Sequence, residues 1–94
     1  MPAMHFVVRW PDGSEEICYS PSTAIEAYLT VHHPYTVAEF TALALKALNE
    51  ASERVASKFG YACSSAMDQA SMIEQKALRF SPSDSIIVEK ITVI

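Results

Sequence analysis

The segment Phe6 to Ser22, FVVRWPDGSEEICYSPS, constrains this chain most. It reads as two strands folded back through Pro11-Asp12-Gly13. Proline presets the backbone angle of a turn's second position and aspartate tolerates the third. Glycine then supplies the left-handed conformation that closes a three-residue loop with a bulge. In that register Trp10 faces Ser14, Val8 faces Glu16, Phe6 faces Cys18 and Arg9 faces Glu15. Side chains alternate across a strand. One face therefore carries Met4, Phe6, Val8, Trp10 and Cys18, the better core face. The other carries His5, Val7, Arg9, Ile17 and Tyr19, with an apolar centre of its own. A slip of one residue exchanges the two faces.

Two helical patterns follow. Thr23 and Glu26 stand at capping-box spacing, which predicts a short helix to Leu29. Thr30 to Tyr35, TVHHPY, reads as a loop. Thr36 and Glu39 form a second capping box ahead of a long run without glycine or proline, rich in good helix formers, which Gly60 stops. A third helix is expected from Cys63–Ser65 to about Phe80, with apolar or small residues at 63, 66, 70, 73, 77 and 80. The long helix has a matching line at Val37, Phe40, Ala44, Ala47, Ala51 and Val55. The link Phe59-Gly60-Tyr61-Ala62 suits an antiparallel helical hairpin. A β-branched run from Ser85 to Ile94 ends the chain as a strand.

The expected fold is α+β: one domain over residues 1–94, with a small three-stranded sheet packed on a helical hairpin and a short extra helix. The sheet combines the N-terminal hairpin and the last strand. That strand is apolar at both parities, Ile86 and Val88 on one side, Ile87, Ile91 and Val93 on the other. A sheet apolar on both faces usually has both covered. The helical hairpin covers one, and the short helix, the loop around His32-His33 or a second copy of the chain covers the other, with a homodimer as the expectation.

Composition excludes several functions. Seven basic and 11 acidic side chains give a net charge of −4. The basic residues are scattered, so neither nucleic acid nor an anionic membrane is an expected partner. No apolar run approaches the ~20 residues of a membrane span, and the N-terminus does not read as a signal peptide. The expectation is a soluble cytoplasmic protein. Cys18 and Cys63 show no zinc spacing. His32 and His33 are adjacent in a loop without a third ligand at useful spacing. Only Gly13 and Gly60 are present, so no phosphate loop exists. No cofactor or metal is expected.

The residues RWPDGSEEICYSPS, then SERVASKFGYACSSAMDQ, resemble a family of small bacterial nitrogen-starvation-response proteins found beside a nitrilase in a gene cluster. The resemblance runs from about Met4 to Leu78 and is most specific in the first segment. Val31 to Tyr35 and the tail after Phe80 depart from it. It implies a setting in bacterial nitrogen metabolism, with no reaction and no catalytic residues.

Candidate site residues each have two readings. Arg9, Trp10 and Asp12 at the hairpin tip suit a recognition surface, since tryptophan and arginine anchor interfaces. They equally suit a core tryptophan, an Arg9–Glu15 pair and a turn-forming aspartate. Ile17 and Tyr19 would build a self-interface. Cys63, at a helix start, is either a reactive thiol or a small buried hydrophobe. The functional expectation is a non-catalytic interaction module that self-associates and recognises a protein partner from a nitrilase-linked pathway. The alternative is a small-molecule binder or minor enzyme with a pocket near Cys63, Arg54 and Tyr61.

Overall fold

A computed structural model describes residues 2–60 and 64–94. It contains strands β1 (Met4–Arg9), β2 (Glu15–Ser20), β3 (Pro34–Thr36) and β4 (Ser85–Val93), and helices α1 (Ala24–Tyr28), α2 (Val37–Phe59) and α3 (Ser64–Ala77). The sheet has four strands in the order β2-β1-β4-β3, all pairs antiparallel. The α+β class stands, and the three-stranded sheet is corrected to four. The added strand lies in the segment expected to be a loop. Pro34, Tyr35 and Thr36 pair with Ile87, Ile86 and Ser85. Three residues headed by a proline carry too little alternation to register as a strand. Tertiary contact makes it one: Tyr35 is buried, and its hydroxyl accepts a hydrogen bond from the Thr30 amide at 2.9 Å.

The β1–β2 hairpin has the expected register, with Phe6 opposite Cys18 and Arg9 opposite Glu15. The Gly13 amide donates to the Trp10 carbonyl, and Gly13 takes φ +87°, the left-handed conformation the turn demands. Asp12 Oδ1 accepts from the Ser14 amide and hydroxyl at 3.0 and 2.6 Å. These bonds, the hydroxyl first, hold the Asp12 carboxyl below its ordinary pKa.

β4 departs from the simple alternation. Val8 pairs with Val88 and Val7 with Lys90, leaving Glu89 as the extra residue of a β-bulge. The bulge resets the parity. Ile91 and Val93 come opposite Phe6 and Met4, on the side of Ile86 and Val88, and Ile91 packs against the core. The expectation that Ile91 and Val93 share the face of Ile87 is therefore corrected. One extra residue places most of β4's apolar side chains on one side.

The helices lie on that side. α2 opens with the expected capping box: Thr36 Oγ1 accepts from the Glu39 amide, and Glu39 Oε1 accepts from the Thr36 amide. Gly60 closes it with φ +81°. Val37, Phe40, Ala44, Ala47, Leu48 and Ala51 are buried along α2, and Ala66, Gln69 and Ile73 along α3. The Thr23–Glu26 box does not form. Thr23 makes no side-chain cap, and Ser22 Oγ accepts from the Ala24 amide instead. α3 stops at Ala77 rather than about Phe80, because the Arg79 and Phe80 amides tighten onto Lys76 and Ala77. Phe80 then stacks on Trp10 with ring centres 5.7 Å apart and planes at 18°. The helix start at Cys63 and the link through Tyr61 and Ala62 lie outside the described residues.

Candidate functional site

Two surfaces offer chemistry, and both follow from helices covering one face of the sheet. The first is the uncovered face. Alternation along β1 and β2 sends Val7, Arg9, Glu15, Ile17 and Tyr19 to it. The bulge adds Glu89 and Lys90 side by side. Val7, Arg9, Glu15, Ile17, Glu89 and Lys90, with His32, line a shallow depression of about 780 Å³, and Tyr19 lies outside it. Ile17 is 69% exposed and pairs across the strands with half-buried Val7.

Charges on this face are largely satisfied within the chain. The Arg9 guanidinium donates from Nε to Glu89 at 2.8 Å, from Nη2 to Glu15 at 3.0 Å and from Nη1 to the Gly13 carbonyl at 3.1 Å. The Glu89 hydrogen bond, then the charge of Glu15, raises the Arg9 pKa further. The network is solvent-exposed, so it orients side chains more than it stabilises the fold.

Both sheet edges are blocked. At β2, Gln69 of α3 reaches over and its Oε1 accepts from the Tyr19 amide at 2.9 Å. Lys76 of α3 binds Glu16 at 3.2 Å and sits 5.3 Å from the centre of the Trp10 ring. At the other edge, β3 is three residues long and begins with proline. Short, proline-bearing or covered edges resist strand addition. The open face is therefore the accessible surface of the sheet.

Of the residues expected to mark a site, Arg9, Ile17 and Tyr19 share this face. Trp10 does not. It is 1% exposed, held between Phe80 and an edge-on Phe40 ring at 5.9 Å. Asp12 serves the turn. Arg54 is exposed on α2, where it pairs with Glu50 one turn earlier at 3.5 Å. Tyr61 and Cys63 lie outside the described residues. Cys18 is fully buried beneath the sheet, and burial pushes its thiol up to about 12. A nucleophile needs the thiolate, so this thiol is inert at neutral pH. Among the described residues no three His, Cys, Asp or Glu side chains gather as metal ligands. No helix among them is long and apolar enough to cross a membrane.

The second surface was not singled out from sequence. It is an apolar groove on the outer seam of the α2–α3 hairpin, in two depressions of about 530 and 320 Å³ that share Leu45 and Glu74. Its signal was present: Ala38, Ala42, Leu45 and Asn49 form a second line on α2 at four-three-four spacing, and Met67, Ser71 and Glu74 on α3 continue at the same spacing to Leu78 just past its end. The richer core lines on the same helices obscured it.

Neither the curated proteins nor the solved structures include a match to this chain. The model of one family, described as nitrogen starvation-induced protein NitG, matches residues 5–92, and with nearly its whole length covered the chain belongs to that family.

Proposed function

We propose that this protein is a non-catalytic recognition module of the nitrogen-starvation response, and that it self-associates through the open face of its sheet. Family membership supports the physiological role. The mechanism rests on one observation: a sheet covered by helices on one side leaves Ile17 69% exposed beside Val7 on the other. An apolar centre ringed by polar groups is the anatomy of an interface.

A second copy suits this face because it carries both signs of charge. Arg9 and Lys90 stand with Glu15 and Glu89, so a copy turned over can meet opposite charge. Two-fold association brings the same patch together from both subunits. The blocked edges favour stacking of faces over extension of the sheet. A protein of the nitrilase-linked cluster is the first heterologous partner to test.

Light scattering across a dilution series tests the reading. The expected mass is twice 10.4 kDa, and Ile17→Glu should give a monomer with an unchanged circular dichroism spectrum. A wild-type monomer at every concentration, or a folded Ile17→Glu variant that still dimerises, would sink it.

A further inference from the structure

We infer that the groove on the outer seam of the helical hairpin docks an amphipathic helix of a different protein, one with a lysine or arginine at its centre. The inference concerns a surface separate from the sheet face and does not depend on self-association there.

The shape comes first. α2 contributes Ala38, Ala42 and Leu45 to the groove, α3 contributes Met67 and Glu74, and Leu78 follows directly after α3. The N-terminal half of α2 lies beside the C-terminal end of α3, so the two lines run antiparallel. From Ala38 to Asn49 the groove follows α2 for about 17 Å, or three helical turns. The two depressions are continuous through Leu45 and Glu74. An elongated trough with small residues along it and larger apolar ones at its margins fits a helix inserting side chains one turn apart. It fits a compact ligand poorly, since such sites enclose most of their occupant.

Exposure shows that no described part of the chain covers this surface. Leu78 is 83% exposed and Met67 51%. Apolar side chains held in water around a concave surface mark an interaction site.

Charge selects the occupant. Among the described residues Glu74 is the only charged one lining either depression. It makes no ion pair among the described residues. Lys46 follows Leu45 in the chain but does not line the groove. Glu74 stands in the shared middle, so a second copy packed here about a two-fold axis would bring its own Glu74 close to the first. Like charges in a partly desolvated interface are unfavourable. A cation on the incoming helix turns that cost into an attraction. The sheet face, with its balanced charges, is the opposite case.

Fluorescence anisotropy of the full chain against two labelled peptides tests this. Each is an amphipathic helix of about 18 residues, or five turns, with a leucine and alanine stripe. One carries a central lysine in the stripe, the other a glutamate. The lysine peptide should bind saturably, and the glutamate peptide about five-fold more weakly. Glu74→Lys should reverse the order, and Ala42→Glu, at an exposed position, should abolish binding of both without changing the circular dichroism. Ile17→Glu should leave peptide affinity unchanged. Absence of saturable binding, equal affinity for the two peptides, or binding indifferent to Ala42→Glu overturns the inference. So does loss of the dimer on Ala42→Glu, which would make the occupant a second copy. Loss of the dimer on Ile17→Glu with peptide binding intact supports both readings.

Discussion

The two faces of the sheet start from similar material and end differently. Phe6 and Val8 alternate with Val7 along one strand, and Cys18 lies next to Ile17 on its neighbour. Phe6, Val8 and Cys18 are 0% exposed, while Ile17 is 69% exposed. Residue type does not explain the contrast. Burial is decided by where α2 and α3 lie, and they lie on one side. The covered face drives folding because it removes apolar surface from water. The open face retains its apolar centre and dresses it with Arg9, Glu15, Glu89 and Lys90.

Large truncations should sharpen the contrast most. Trp10→Ala should cost about 3–5 kcal/mol, the usual cost of removing a buried tryptophan. Ile17→Ala should stay within about 0.5 kcal/mol when measured on the monomer. Urea melts of both variants decide it, and comparable losses would mean that the open face is covered after all.

Cys18 tests the same burial through its proton. Its ordinary pKa is 9.0 and the folded value is about 12. The folded chain therefore holds a proton that the unfolded chain loses between those values. Stability should be intact below pH 9 and fall between pH 9 and 12. This proton contributes at most about 1.4 kcal/mol per pH unit. Cys18→Ala should flatten the alkaline slope, even though the cavity lowers stability overall. In a Cys63→Ser background, a thiol reagent should modify Cys18 at the rate of global or sub-global opening. Rapid labelling of the native protein would contradict the burial.

The bulge offers a milder test. Deleting Glu89 leaves Val8 opposite Val88 and Val7 opposite Lys90, so every remaining side chain keeps its face. The deletion variant should fold, with a modest loss of stability and no Arg9–Glu89 bond. Were β4 regular instead, Lys90 and Thr92 would share the core side with Val88 in the wild type. The same deletion would then move them out and Ile91 and Val93 in, and a variant more stable than the wild type would point to that register. Arg9→Ala should have the smallest effect on the melt, smaller still in high salt, because the network is exposed and screened.

Most of the fold was legible because local chemistry dictated it. Pro11-Asp12-Gly13 admits few turns, and the turn sets the hairpin register. Thr36, Glu39 and Gly60 mark the two ends of α2 through bonds and backbone angles available to those residue types. The site was only partly legible. Arg9, Ile17 and Tyr19 follow from alternation alone. Trp10 at the same tip had two equal readings, and only Phe40, Phe80 and Lys76, distant in sequence, settled it in the core. The groove escaped notice because two lines of apolar residues on one helix do not announce which will be covered.

Local chemistry in the sequence is enough for three of the strands, the three helices, the hairpin's register and the alternation that divides β1 and β2 into two faces. These rest on bonds and torsions within a few residues of each other. The fourth strand, the Glu89 bulge, the guarding of β2 by Gln69 and the choice of face for the helices were decided by tertiary structure. Each depends on residues brought together from far along the chain, where pairing and packing override weak local preference.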